Sequence, residues 1–339
     1  MSAAVGWTLV RDLHRGTACD LDREIRTAYE RYPFPYPLDR EYEQYGVEEC
    51  RAKLDQFRAG NAELLRQFGL TPDFARGLAL WDLGCGVGWR AMAFASEGAR
   101  TVHAFDASEN AIRWGRRFAR LLGIDHLHFH PVNLYDLGSY DGAGEADLIF
   151  STGTLHHVFD LDRAARAVAA RCREGTRFYF THSSYHSRLG LVKYYKNYLS
   201  WARGGLELER RLEAGRWIWS RWIRTTPEPV RKNHLNDLAG VFYMARSPRR
   251  IVRIFEKAGF EMRRLPPPRL TEQMERLRGR LERSARWGRK PVLKKLFSAV
   301  ALGFSRLPLP GFLDRALGSW SSWWFEMQPH CFRAVHRGR

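Results

Sequence analysis

The chain has 339 residues and lacks several features that would narrow its reading quickly. Cysteine is sparse: Cys19, Cys50, Cys85, Cys172 and Cys331 are scattered, odd in number and without a CxxC pair. That argues against a disulfide framework and against a zinc knuckle, so a reducing compartment, the cytoplasm, is the expected home. No uncharged apolar run reaches the roughly 18 residues of a membrane-spanning helix, so membrane contact is expected only peripherally, at the inner surface. The opening stretch MSAAVGWTLVRDLHRG has no basic region leading into an apolar core, and no signal peptide is expected. Acidic residues are also scarce, 37 against 55 Lys and Arg, which leaves a net charge of +18. The imbalance is local: residues 241–339 hold 22 Lys or Arg against 7 Asp or Glu, a surplus of 15. A basic C-terminal third points to an anionic partner, such as nucleic acid, an anionic lipid surface or an acidic substrate, or else to a solvated arginine-rich face.

What is present is a globular composition, 45% hydrophobic, in a length that suits one large α/β domain with additions. The anchor of the chain is Leu78 to Arg90, LALWDLGCGVGWR. Leu78 to Leu83 has the apolar density of a buried strand, and the pattern after it is helical. Between them Gly84, Gly86 and Gly88 free the backbone for a sharp turn and leave no Cβ to hold a ligand away. The helix starting near Trp89 would point free N–H groups and its positive dipole end at whatever sits over the turn. A dehydrogenase loop, GxGxxG, would need its third glycine at position 89, where Trp89 stands. Asp82 would repel a pyrophosphate, yet it suits a cofactor carrying an amino group and a sulfonium.

The phrase DLGCGVG resembles the first motif of the class I S-adenosylmethionine-dependent methyltransferases, an acidic residue followed by GxGxG. A tight strand–helix turn with glycines for packing alone is the alternative. Later segments keep the order that the resemblance requires. Thr101 to Asp106, TVHAFD, reads as a second strand, and Asp106 stands where a carboxylate accepts the ribose hydroxyls in both this family and dinucleotide enzymes. Ser108 caps the helix SENAIRWGRRFARLLG, which ends at Gly123. The third strand, HLHFHPVNL, places His126, His128 and His130 on one face by alternation; a metal would need further ligands, so no metal site is expected. The fourth strand, Ala146 to Ser151, runs into TGTLHHVFD, which resembles the family's GVLHH-like phrase lining the methyl-transfer pocket. Arg177 to Thr181 is the fifth strand. Ser247 and Pro248 start a further helix, FEMRRL is the sixth strand, and PHCFRAV holds an antiparallel seventh.

The resemblance implies a doubly wound, Rossmann-like seven-stranded α/β sheet with an N-terminal helical segment and helical insertions forming a cap. It implies S-adenosylmethionine as cofactor, S-adenosylhomocysteine as product, and no metal. The cofactor contacts it implies are Asp82, Gly84, Cys85, Gly86, Gly88, Asp106, Ala107, Asn133, Leu134, Ser151 and Gly153. His156 and His157 are the candidate catalytic bases, since an imidazole titrates near neutrality, and adjacency lets only one of them, with His156 favoured, face the acceptor. Tyr32 and Tyr36 in the aromatic–proline segment RYPFPYP, together with His182, Tyr185 and Tyr243, are the candidate acceptor contacts.

Four regions are expected: 1–70, an N-terminal helical and aromatic cap; 71–185, the cofactor-binding core; 186–245, a helical lid; and 246–339, the rest of the core with a basic amphipathic insertion at about 266–328. In the lid, Trp217, Trp219 and Trp222 occupy more than one helical face. In the insertion, PVLKKLFSAVALGF forms an apolar stripe beside Lys294 and Lys295, followed by a Trp cluster; core packing, a homodimer interface and a membrane surface all fit that pattern. The Asn-Pro-Pro-Tyr and Pro-Cys phrases of base-modifying relatives are missing, which favours a small-molecule acceptor, bulky or apolar and drawn from specialised or lipid metabolism. An RNA methyltransferase using the basic third, and a non-catalytic module binding a membrane or partner, remain the alternatives.

Overall fold

The computed structural model describes residues 42–182, 246–267, 269–283, 310–317 and 330–338, with individual positions between 23 and 30 and between 299 and 306. Tyr32, Tyr36, Tyr185, Tyr243, the lid and its tryptophans, and the lysine and tryptophan part of the insertion lie outside these residues.

Seven strands form one sheet: β1 (Ala79–Leu83), β2 (Thr101–Asp106), β3 (Leu127–Pro131), β4 (Leu148–Ser151), β5 (Arg177–His182), β6 (Phe260–Arg264) and β7 (His330–His336). Their order is β3-β2-β1-β4-β5-β7-β6. The first five run parallel, and β7 lies antiparallel between β5 and β6. β1 is buried along its whole length, which is why its sequence is a continuous apolar run broken only by Asp82.

Helices cover both faces. On one side α1 (Val47–Gln67), α2 (Trp89–Ser96) and α3 (Glu109–Leu121) pack over a core containing Trp89, Phe94, Phe118 and Phe150. On the other, α4 (Leu161–Ala169) and α5 (Pro248–Lys257) cover Trp81, Phe105, Phe178, Phe180 and Phe332. Each such fully buried aromatic contributes about 2–3 kcal/mol. A sixth helix, α6 (Leu270–Arg283), follows β6. The caps are those that the sequence signals: Ser108 accepts from Ala111 N, and Ser247 accepts from Arg250 N with Pro248 in the first turn.

The histidine pattern differs from expectation. β3 begins at Leu127, so His126 precedes it, and its ring bonds the Ala95 carbonyl at 3.1 Å. The partner of His128 and His130 is His103 of β2, brought opposite His128 by the parallel register. His103 Nδ1 and His130 Nε2 share a hydrogen bond of 2.9 Å, and His130 Nδ1 lies 2.8 Å from the Tyr140 hydroxyl. Burial, with the neighbouring histidines, pushes both His103 and His130 down to about 4. Neutral stacked rings account for this edge of the sheet, and no cluster of three or more metal-type ligands exists among the described residues.

Candidate active site

The carboxyl ends of β1, β2, β4 and β5 meet along one rim, where open parallel sheets bind ligands. Gly84, Gly86 and Gly88 all have positive φ, and Gly88 is the N-cap of α2. Two of these glycines are required by the fold itself. A Cβ on Gly84 would lie 2.1 Å from Thr154 Cγ2, and one on Gly88 would lie 2.3 Å from Phe129 Cε1. Thr154, from the loop after β4, uses that space to donate to the Gly84 carbonyl at 3.0 Å. Gly86 N–H donates to Asp106 Oδ2 at 2.8 Å, so the turn and the end of β2 are locked together.

Asp106 also accepts from Ser108 N at 2.9 Å through Oδ1, across the bend at Ala107. Each of its oxygens thus holds one backbone donor and keeps a second lone pair for a hydroxyl. Burial raises its pKa, and the N–H groups of Ser108 and Gly86 oppose that rise. Cys85 donates to its neighbour, the Gly86 carbonyl, and burial beside Asp106 and Asp82 holds its thiol well above the usual range. It is a neutral thiol and not a nucleophile.

Asp82 is 2% exposed, and its Oδ2 has no hydrogen-bond partner among the described residues. Burial pushes its carboxyl up to about 7; Arg90 pulls against that shift and Asp106 adds to it. Arg90, in the first turn of α2, has its Nη1 buried and equally unpartnered, and burial lowers its pKa while Asp82 supports its charge. A buried carboxylate oxygen and a buried guanidinium nitrogen are thus left open beneath a glycine turn. Each costs about 1–3 kcal/mol or more without a partner. Arg90 carries no mark in the local sequence, because only the three-dimensional turn brings it to Asp82.

The remaining predicted positions divide in two groups. Asn133 is half-buried and accepts from Tyr135 N at 3.1 Å, and Leu134 is buried against the α4 side of the core. Gly153 is exposed, with positive φ, and donates to Thr181 Oγ1 at 3.2 Å. Ser151 is fully buried, and its hydroxyl donates to the Leu83 carbonyl, stitching β4 to β1.

The two histidines after β4 differ in burial. His156, favoured to face the acceptor, is 4% exposed, and its ring centroid lies 6.1 Å from that of buried His182. His157 is half-buried and reaches the N-terminal helical stretch, where its Nε2 lies 3.0 Å from the Tyr29 hydroxyl. That stretch is fastened to the rim: Ser108 Oγ donates to Tyr29 O, Asn110 Nδ2 donates to Glu30 O at 2.9 Å, and Glu30 accepts from Asn110 N at 3.0 Å. Among the described residues the N-terminal contacts at the rim are Tyr29 and Glu30, a few residues before the aromatic–proline segment. Arg246 is another residue that sequence reasoning missed. It is buried, donates to the Val158 and Phe159 carbonyls, and holds the HHV loop in place. Burial, with Arg250 nearby, lowers its pKa to about 10.

Residues 53–265 match the family model described as a methyltransferase domain. The chain belongs to the methyltransferase domain family. Its seven-stranded mixed sheet with flanking helices is the Rossmann-like class I methyltransferase fold. A curated relative of this methyltransferase-family chain, an uncharacterized protein of Synechococcus, is 32% identical over 110 residues, 32% of this chain and 25% of the relative. The chain thus spans about a quarter of that relative's length. Among solved structures, a putative S-adenosylmethionine-dependent methyltransferase of Listeria monocytogenes is 15% identical, with 82% of this chain and 99% of that one covered and a TM-score of 0.42. A Mesorhizobium loti S-adenosylmethionine-dependent methyltransferase is 22% identical over 61% and 84%, with a TM-score of 0.38. Phosphoethanolamine N-methyltransferase 2 of Haemonchus contortus, solved with phosphomonomethylethanolamine and S-adenosylhomocysteine, is 15% identical over 93% and 60%, with a TM-score of 0.44.

Proposed function

We propose that this chain binds S-adenosylmethionine on the rim of β1 and β2 and transfers its methyl group to a small, bulky or apolar molecule. The observation that carries this reading is the pair of buried, unpartnered polar atoms under the glycine turn, Asp82 Oδ2 and Arg90 Nη1. A zwitterionic amino acid end suits them: an ammonium for the carboxylate and a carboxylate for the guanidinium. Asp106 suits two vicinal hydroxyls, Asn133 and Leu134 flank the adenine position, and the three glycines let a ligand approach the main chain.

When bound, the cofactor supplies an electrophilic methyl group on a sulfonium. Asp82, with Asp106 behind it, favours that cationic end over a pyrophosphate. The HHV loop, held by Arg246 and by Thr154, forms the opposite wall, and His157 with the Tyr29 hydroxyl stands at its edge. His157 Nε2 is the atom best placed to hold or accept a proton from an acceptor hydroxyl or amine, while His156 and His182 support the loop from inside. Most of the acceleration is expected from holding the acceptor in line with the methyl in a water-poor site, so removing His157 alone should leave measurable turnover.

Calorimetric titration with S-adenosylhomocysteine tests the reading. Micromolar binding to the wild type that falls at least about 100-fold in Asp106→Ala supports it, since two charge-assisted hydrogen bonds are removed. No binding to folded wild type overturns it.

A further inference from the structure

Phe312 is 76% exposed and Leu313 37%. They stand at the start of helical residues 311–317, which are not loosely attached. Asp314 is buried and accepts from both Thr271 N–H, at 3.0 Å, and the Thr271 hydroxyl, at 2.7 Å. The first turn of α6 therefore clamps this segment and leaves its aromatic and aliphatic side chains outside. The immediate neighbours are basic: Arg315 follows Asp314, Arg269 lies two residues before its partner Thr271, and both are exposed. Arg306, six residues before Phe312, is exposed as well.

We propose that this tip is a docking surface for an anionic lipid bilayer, with Phe312 and Leu313 entering the acyl boundary and the arginines taking phosphate headgroups. A bilayer explains both components at once. Nucleic acid would use the arginines but gives Leu313 no role. A second copy of this chain across a two-fold axis would set the same arginines against themselves.

The position of the tip gives the docking a consequence. β6 runs parallel to β1, because both β5 and β6 pair antiparallel to β7. The chain therefore leaves β6 for α6 on the same rim that holds Asp82 and Asp106. Docking brings the rim that carries the proposed acceptor mouth to the membrane, and the acceptor class becomes a molecule dissolved in, or part of, the lipid phase. That consequence rests on the methyl-transfer reading; the docking itself does not.

The test is co-sedimentation of the full chain with vesicles of phosphatidylcholine containing phosphatidylglycerol, against phosphatidylcholine alone. Binding should require phosphatidylglycerol, weaken with added salt, and fall about tenfold in Phe312→Ser. It should fall again in Arg269→Glu with Arg315→Glu. Val47→Ser, which changes an exposed apolar residue elsewhere, should bind like the wild type. Equal binding of Phe312→Ser and wild type, or binding without phosphatidylglycerol, overturns the proposal. So does a single-stranded RNA oligonucleotide that displaces the vesicles while binding equally to Phe312→Ser, or a dimer that this substitution disperses. S-adenosylhomocysteine binding is titrated on the same preparations. Vesicle binding as described with no such titration leaves the docking standing and removes the methyl-transfer reading.

Discussion

Two aspartates on neighbouring strands, Asp82 at the carboxyl end of β1 and Asp147 just before β4, have opposite fates. Asp147 accepts from Ala79 N at 2.9 Å, from Arg100 at 3.3 Å and from Arg173. Burial alone would raise its pKa, but these donors bring it below the usual carboxylate range. Asp82 is more deeply buried, with an open oxygen, and stands at about 7 despite Arg90. One end of the sheet satisfies its carboxylate from within the chain. The other end withholds a partner, and a buried charge left wanting is the mark of a site meant to receive one.

Exchanging the two losses gives the largest effect. Asp82→Asn should weaken S-adenosylhomocysteine binding about 100-fold. Asp147→Ala should instead lower stability by about 2–3 kcal/mol with little change in affinity. Similar affinity losses in both variants would break the comparison.

Next in size is Gly84→Ala, where positive φ and the contact with Thr154 predict a destabilisation of at least about 2 kcal/mol by chemical denaturation. A Thr154→Gly background should recover the part that the clash contributes.

The pH dependence sharpens the contrast further. The unfolded chain gives up the Asp82 proton near 3.8 and the folded, unliganded one near 7. Stability from this group is therefore full below about 4 and is lost as pH rises through about 7. A bound ammonium needs the ionised form, so affinity for S-adenosylhomocysteine should rise about tenfold between pH 6 and pH 8, and Asp82→Asn should flatten that rise. A flat wild-type profile would remove the ammonium pairing.

The smallest effect lies at the histidine edge and has the opposite sign. His103 and His130 titrate near 6.5 when unfolded and near 4 when folded. Their contribution is present above about 6.5 and is lost as pH falls toward 4. The slope of stability against pH in that window should be shallower in His103→Gln by close to one proton.

What the sequence made legible was local. The strand–glycine–helix grammar, the caps at Ser108 and Ser247, and the acid at the end of β2 depend on neighbours in the chain, and the strands fell within a residue or two of their expected limits, except that β3 ends at Pro131, three residues before its expected end at Leu134. What it hid was set by register and turn geometry. Alternation grouped His126 with His128 and His130, whereas the parallel pairing of β2 with β3 substitutes His103. Gly84 and Gly88 read equally as ligand glycines or packing glycines, and the neighbours that require them, Thr154 and Phe129, are distant in sequence. Arg90, Arg246, Tyr29 and Glu30 had no motif to mark them, because each acquires its role only through a contact across the fold.

The most direct test of the withheld-partner account compares two ligands on the wild type and Arg90→Gln. S-adenosylhomocysteine carries the amino acid end, and 5′-methylthioadenosine lacks it but keeps the adenosine and the sulfur. If Asp82 and Arg90 are held open for that end, Arg90→Gln should weaken S-adenosylhomocysteine binding about 30-fold or more and leave 5′-methylthioadenosine unchanged. Equal losses for both ligands, or none for either, would contradict the account.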